Sequence, residues 1–324
     1  MQIISGGDIY TKILDASVVT IGNFDGVHRG HAEIFAHLKL KSENRGLPSV
    51  VVTFEPHPLK ILSPDSAPSM ITTFEQKSAL IEESGIDYLI VVPFSTEFSQ
   101  LSAADFVRTI LCTPLGMRHI IIGHDYAFGR GRQGNFETLE KLGALNGFTL
   151  EDLPPVGDGG MVFSSSLVRS SVAEGDMPRA SRILGRYYRI SGVVVHGREI
   201  GHSLGYPTAN IETANELIPA DGVYAVIAEV DGRHVKGACN IGINPTFGGV
   251  KRSIEVFLLD FSGNMYDHEI GLQFVQRLRP VQKFPDADAL KHAIGRDVDS
   301  TRIILEKLVT DNPMFSDSLD ARAR

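Results

Sequence analysis

Val18-Val-Thr-Ile-Gly-Asn-Phe-Asp-Gly-Val-His-Arg-Gly-His31 is the stretch whose reading decides the fold of the first half of the chain. Residues 18–21 form a β-branched run that reads as a buried strand, and Gly22 ends it. Ala32-Glu-Ile-Phe-Ala-His-Leu-Lys-Leu40 then puts Ile34, Phe35, Leu38 and Leu40 on roughly one face of a helix. The glycines and histidines therefore fall in a strand-to-helix turn. Such a turn aims free backbone N–H groups and the positive end of the helix dipole at one point, which suits a phosphate. His28 and His31 share a face once the helix starts, and both can donate to one anion. A lone histidine or a lone glycine-rich turn is common in plain loops, so neither decides alone. Together they say more. Gly22 and Gly26 bring backbone close, and Gly30 leaves room for a phosphate. The run also lacks the Lys of a Walker loop and the spacing of a dinucleotide fingerprint.

Composition narrows the function classes. The 324 residues, 43% of them hydrophobic, can bury a sizeable core, and the length favours two domains over one. Lys and Arg number 16 against 21 Asp and Glu over residues 1–186, and 15 against 18 over 187–324. Neither half is basic, which argues against a nucleic-acid partner, since a polyphosphate backbone needs an excess of cations. Nucleotides need only a few placed donors. Cys112 and Cys239 lie far apart among apolar or small residues and read as buried reduced thiols. The N-terminus has no basic region followed by an apolar core, and no apolar run reaches membrane-spanning length. A cytoplasmic protein without a membrane partner is expected, with self-association kept beside a monomer.

Up to about residue 153, strand-like and helix-like segments alternate. Strands are expected at 18–21, 49–54, 88–93, 119–123 and 148–153, and helices at 32–43, 74–83, 103–111 and 136–145. Thr72 or Thr73, with Glu75 and Gln76, is placed to cap the second helix, and Ser102 with Asp105 the third. Repeated β-α-β units with near-continuous apolar strands imply an α/β domain built on a parallel sheet. Its ligand site belongs at the carboxyl ends of the strands. Other stretches follow such ends. In Phe54-Glu-Pro-His-Pro58 two prolines hold His57 stiffly. Gly123-His-Asp-Tyr-Ala-Phe-Gly-Arg-Gly-Arg-Gln-Gly134 is a glycine-rich loop carrying Asp125, Arg130 and Arg132. Phe163-Ser-Ser-Ser-Leu-Val-Arg169 reads either as a serine cap with an exposed arginine or as a second phosphate clamp. In the clamp, Ser164, Ser165 and Ser166 offer hydroxyls and Arg169 its planar fork.

After a helix at 177–184 the pattern changes. Strands are expected at 190–196, 222–230, 234–241, 253–260 and 269–277, with Asp231-Gly232 as a hairpin turn. An all-β domain follows, a small antiparallel barrel closed by a helix at about 286–308, and a polar tail ends the chain. His196-Gly-Arg-Glu-Ile-Gly-His-Ser-Leu-Gly-Tyr-Pro-Thr-Ala-Asn210 spaces Gly197, Gly201 and Gly205 evenly ahead of Pro207. In an extended segment Thr208 and Asn210 point to one face, where their oxygens suit Mg²⁺ held mainly by waters and phosphates. Glu255 alternates with Ile254 and Val256 and reads first as the solvent side of a strand.

Gly22-Asn-Phe-Asp-Gly-Val-His-Arg-Gly-His31 resembles the His-x-Gly-His signature of nucleotidyltransferases, in the form carried by bacterial bifunctional riboflavin kinase/FAD synthetases. The Phe54–Pro58 and Gly123–Gly129 stretches and Ser164-Ser-Ser-Leu-Val-Arg169 are similar to further motifs of that family. Gly205-Tyr-Pro-Thr-Ala-Asn210 resembles the riboflavin kinase signature, with Tyr206 where Phe is usual. Asn240-Ile-Gly-Ile-Asn-Pro-Thr-Phe247 and Ser253-Ile-Glu-Val-Phe257 are similar to other kinase motifs. Two departures stand out: Arg186-Tyr-Tyr188 for Arg-Pro-Tyr, and Tyr266-Asp-His268 for Tyr-Gly.

The resemblance implies a Rossmann-like FMN adenylyltransferase domain over 1–184, a riboflavin kinase domain over 185–310 and a tail over 311–324. Riboflavin, FMN, FAD, ATP and Mg²⁺ are the implied ligands. His28, His31, Arg169 and Glu255 are the implied catalytic residues, Glu255 being the base for the ribityl hydroxyl. Gly22, Phe24, Asp25, Gly26, Gly30, His57, Asp125, Ser164, Ser165, Ser166, Gly197, Gly205 and Asn240 would bind nucleotide or flavin, and Thr208 and Asn210 the metal. Two alternatives stand beside it, a nucleotidyltransferase acting on another phosphorylated acceptor and a flavin-binding regulator without turnover.

Overall fold

The computed structural model describes residues 1–124, 126–197, 201, 205–246 and 249–311. Asp125 and residues 312–324 of the polar tail lie outside them. The chain forms two compact units, Met1–Ser165 and Ser166–Arg324.

The first unit runs β1 (Gln2–Ser5), β2 (Ser17–Ile21), α1 (Arg29–Arg45), β3 (Ser49–Glu55), α2 (Pro58–Leu62), α3 (Phe74–Glu83) and β4 (Tyr88–Pro93). It continues with α4 (Ala103–Phe106), a π turn (Val107–Cys112), α5 (Thr113–Leu115), β5 (Met117–Gly123), α6 (Phe136–Asn146) and β6 (Thr149–Leu153). A short ribbon, β7 (Gly157–Asp158) and β8 (Met161–Val162), follows. The sheet is parallel throughout, in the order β1-β4-β3-β2-β5-β6. Its central strands are apolar on both faces because both are covered. Val18, Val51, Leu89 and Ile121 pack with Phe35 and Leu38 of α1 and Ile81 of α3. Val19, Val50, Ile90 and Ile120 pack with Phe106, Ile110 and Leu139 on the other side.

α2 and the β7–β8 ribbon lie outside the sequence reading, and two further differences have a local cause. β1 was not expected; it pairs only with β4 and is largely exposed, so it carries no burial pattern. The single helix expected over 103–111 is a short α-helix that widens into the π turn before Pro114. Pro114 has no N–H to give back to the preceding turn, which favours such a change of winding. The caps are as read: Thr73 and Gln76 form a reciprocal box, and Ser102 accepts from the Asp105 N–H.

The second unit takes in α7 (Ser165–Glu174) from Ser166 on, then α8 (Met177–Leu184), β9 (Tyr188–Val195), β10 (Ala209–Thr213), β11 (Gly222–Val230) and β12 (Arg233–Thr246). β13 (Gly249–Leu258), β14 (Glu269–Arg279) and α9 (Ala287–Asp311) complete it. Six antiparallel strands close into a barrel in the order β10-β13-β12-β11-β14-β9. β10 is the strand missing from the sequence reading, which found five. Asp231 and Gly232 both have positive φ, the requirement of the two-residue turn expected there. α9 is fixed through Leu305, packed with Ala225, Ile227 and Val275, and through Asp297, whose nearly buried carboxylate takes a forked pair from Arg279 at 2.7 and 2.9 Å. In the Tyr266-Asp-His268 departure, Asp267 has φ 67°, a conformation glycine adopts freely and Asp tolerates better than most residues.

α8 packs on β14 and β9, burying Met177, Ala180, Ile183 and Leu184. The Val172 carbonyl of α7 accepts from the Ala220 N–H at 3.3 Å, and the Glu174 carbonyl accepts from Arg277 at 3.4 Å. A fragment of residues 166–324 is therefore expected to melt as one cooperative unit. A fragment of 187–324 loses three large buried side chains at about 1.5–3 kcal/mol each. It should melt lower by on the order of 10 °C. Circular dichroism of both fragments checks this, and equal melting temperatures would mean that α8 does not stabilise the barrel.

Candidate active sites

The first site is the turn between β2 and α1. Its backbone is strained: Phe24 has φ 49° and Val27 39°, where a β-branched residue such as Val27 is disfavoured, while Gly26 between them takes φ 81° freely. Each such non-glycine residue costs about 1–3 kcal/mol and persists only if its surroundings hold it. Asp25 supplies that hold. Its carboxylate, 5% exposed, accepts from the Ile71 N–H at 3.0 Å and the Thr72 N–H at 3.3 Å, while Thr72 Oγ1 accepts from the Gly26 N–H at 3.2 Å. Asp25 thus fixes the turn through the 71–72 segment. Gly22 and Gly26 are required by packing: a Cβ at either would stand 2.9 Å from the Phe24 ring or the Ile71 side chain.

α1 begins at Arg29, earlier than expected, because His28 caps it: Nδ1 accepts from the Gly30 N–H at 3.1 Å. In the neutral ring that tautomer puts the proton on Nε2, which becomes the donor. The His28 and His31 rings stack at 3.6 Å, and Phe24 meets His31 edge-on at 5.2 Å. A Cβ at Gly30 would lie 3.0 Å from His28 Cε1, so this glycine leaves room first for the folded-back imidazole. The pair lies beyond the carboxyl end of β2, where the α1 dipole favours an anion.

Two of the other expected stretches come to the same strand ends. His57 caps α2, accepting from the Leu59 N–H at 3.2 Å, and so stands just beyond β3. Ser165 Oγ donates to the Asp25 carbonyl at 2.9 Å, and the Arg29 guanidinium covers the Phe163 ring, with half-buried Ser164 between. Ser166 and Arg169 lie further along α7. Lys77 was not among the expected residues. It sits on the inward face of α3, its Nζ 3.4 Å from Thr53 Oγ1 and 3.7 Å from Glu55. Burial pushes its ammonium below the ordinary lysine range, against the opposing pull of Glu55 and Asp25. Its spacing with Phe74, Ser78 and Ile81 was the available signal, a lysine inside an apolar stripe.

The second site is on the barrel. Register puts Asn210 of β10 beside Glu255 of β13, and Glu255 beside Asn240 of β12, so the three form a row across adjacent strands. Direct cross-strand neighbours have Cβ atoms about 4.5–5.5 Å apart. Ile254 and Val256 are buried while Glu255 is half-buried, the alternation expected. Burial, then the Glu255 carboxylate, raises the Cys239 thiol, and both cysteines are free. Cys239 is buried as read, whereas Cys112 is only partly so. Thr208 stands just before β10, and Gly205 has φ 85°. A side chain at Gly197 would overlap the Asn210 amide, and one at Gly201 would meet the Tyr206 carbonyl. Among the described residues, no group of three or more His, Cys, Asp or Glu could hold a metal ion.

The FAD synthetase family model matches residues 11–167 and the riboflavin kinase model residues 184–305. A Pseudomonas fluorescens protein described as a bifunctional riboflavin kinase/FMN adenylyltransferase is 42% identical, over 89% of this chain and 92% of its own. An Escherichia coli K12 protein of the same description is 37% identical, over 87% and 91%. A crystal structure described as a macrolide-efflux protein from Streptococcus pneumoniae superposes with a TM-score of 0.86 at 30% identity, over 93% of this chain and 99% of that one. No helix among the described residues of this chain is long and apolar enough to cross a membrane.

Asp25→Ala should strip the buried Ile71 N–H and the half-buried Thr72 N–H of their acceptor, at about 1–3 kcal/mol for the buried one. Hydrogen exchange at the Ile71 and Thr72 amides is expected to accelerate at least tenfold, with Asp25→Asn between the two. Unchanged exchange would mean that the carboxylate does not hold the turn.

Proposed function

The chain belongs to the bifunctional riboflavin kinase/FMN adenylyltransferase family, and from that premise we propose that it makes FAD in two steps at two sites. One observation carries the reading: a single chain has a capped, strained turn at the carboxyl edge of a parallel sheet and a separate polar row across a barrel. Residues 1–184 would be the adenylyltransferase, 185–310 the kinase and 311–324 a tail. A cytoplasmic location goes with the reading, since both steps consume ATP.

In the kinase step the terminal hydroxyl of riboflavin's ribityl chain attacks the γ-phosphorus of ATP, and the bond to ADP breaks. The nucleophile is a neutral alcohol, so a base helps. Glu255 takes its proton, flanked by the amides of Asn210 and Asn240. Gly197 and Gly205 let the loop backbone approach the nucleotide closely. Mg²⁺ comes with ATP. The hard oxygens of Thr208 and Asn210 fit an ion that keeps most of its waters, and the ion's chemistry is to offset phosphate charge.

In the adenylyl step an oxygen of the FMN phosphate attacks the α-phosphorus of a second ATP, and pyrophosphate leaves. This nucleophile is already anionic and needs no base. Catalysis then consists of placement and charge stabilisation. His28 donates through Nε2, and His31 stands stacked beside it as the second donor to the α-phosphate and the leaving group. Gly22, Phe24, Asp25, Gly26 and Gly30 shape the turn around the phosphates. The resemblance in their motifs would add His57, Asp125, Ser164, Ser165 and Ser166 to the binding set, with Arg169 as a clamp on the outer phosphates.

Replacing both His28 and His31 by Ala should cut FAD formation about a hundredfold or more, so that FMN accumulates. Glu255→Ala should stop riboflavin conversion while leaving supplied FMN to become FAD at near the normal rate. Chromatography after incubation with riboflavin and MgATP reads both results. A folded His28/His31 variant that loses both reactions would point instead to one shared site.

A further inference from the structure

Lys77 is 7% exposed. Nζ is 3.4 Å from Thr53 Oγ1 and 3.7 Å from Glu55 Oε2, with the Phe74 ring centroid 5.7 Å away. Thr53, fully buried at the end of β3, hands its own proton to the carbonyl of Asn23 at 3.2 Å. Asn23 is the residue that leads from Gly22 into the strained turn, and Glu55 is the residue that leads into Pro56 and His57. The charged groups facing the ammonium are Glu55 of β3 and Asp25 of the turn. Lys77 therefore touches, directly or through one hydroxyl, the first residues of both loops that leave β2 and β3.

We propose that Lys77 is a positioning residue for adenylyl transfer, its buried ammonium fixing the spacing between the 22–28 turn and the 55–58 loop around the nucleotide phosphates. The proposal rests on the reading of the first unit as an FMN adenylyltransferase. In-line displacement depends on the placement of the reacting groups, and a misplacement of about 1 Å costs about a hundredfold. The same positive charge offsets that of the buried Asp25 carboxylate, which would otherwise repel an incoming polyphosphate. Lysine suits this use because only a long, flexible stem can carry a point charge from α3 to the end of β3.

The test uses the full chain and FAD formation from FMN and MgATP, with kcat and KM measured from neutral pH to about pH 10.5, the ordinary lysine value. Lys77→Met is expected to lower kcat about a hundredfold, with riboflavin phosphorylation unchanged. Thr53→Val should also lower kcat, and its effect should be smaller in the Lys77→Met background than alone, since the Lys77–Thr53 link is one contact that both remove. Wild type should lose FAD formation on the alkaline side as the ammonium discharges. Lys77→Arg, whose charge persists, should keep what activity it has across that range. A Lys77→Met enzyme within about twofold of wild-type kcat would overturn the proposal, as would an alkaline loss shared by wild type and Lys77→Arg. If circular dichroism shows Lys77→Met unfolded, Thr53→Val and the pH comparison decide. Wild type that makes no FAD from FMN would overturn the adenylyltransferase reading itself, and this proposal with it.

Discussion

A parallel sheet covered on both faces has no room for charge in the middle of its central strands. Val18, Val19, Val50, Val51, Ile120 and Ile121 are all fully buried, so an ionised group placed among them would be stranded without water. The polar chemistry of the first unit is consequently displaced to where the strands stop. There the backbone turns away, helix starts leave N–H groups unused, and anions can approach. The cost is that each loop must be held from below by groups that are themselves nearly out of water. Asp25 and Lys77 are those groups, one accepting from backbone and the other donating to it through Thr53.

The barrel meets the same demand differently. A small closed sheet has its core on one face and solvent on the other, so polar side chains can stand on the strands themselves. Asn210, Glu255 and Asn240 are placed by register, with no cap or strained turn among them. In the first unit the His28 imidazole is aimed by the hydrogen bond that caps the start of a helix. In the second a carboxylate is aimed by pleat alone.

What could be read from the sequence follows the range of each interaction. β4, α3 and β11 fall at the residues expected, because burial pattern and caps are local properties. β10 was missed because a five-residue strand inside a motif shows too few alternations. The start of α1 was placed late because His28 is an uncommon cap residue. Asp25 was legible as part of a motif, but its partners lie 46 and 47 residues away, and no pattern in the turn names them. Its carboxylate is occupied by backbone, which local sequence could not distinguish from a contact to ligand.

Closure of the barrel has a consequence for Glu255 that an open sheet would not impose. Side chains alternate faces along a strand, so sliding β13 by one residue would carry Glu255 inward and bring Ile254 or Val256 out to meet Asn210 and Asn240. In an open sheet an edge strand could slip with only one neighbour to resist it. Here β13 is clasped between β10 and β12, and both seams must shift together with the rest of the ring. The topology thus acts as a ratchet with a single tooth engaged: either the whole cylinder is assembled in one stagger, or the row of polar groups does not exist.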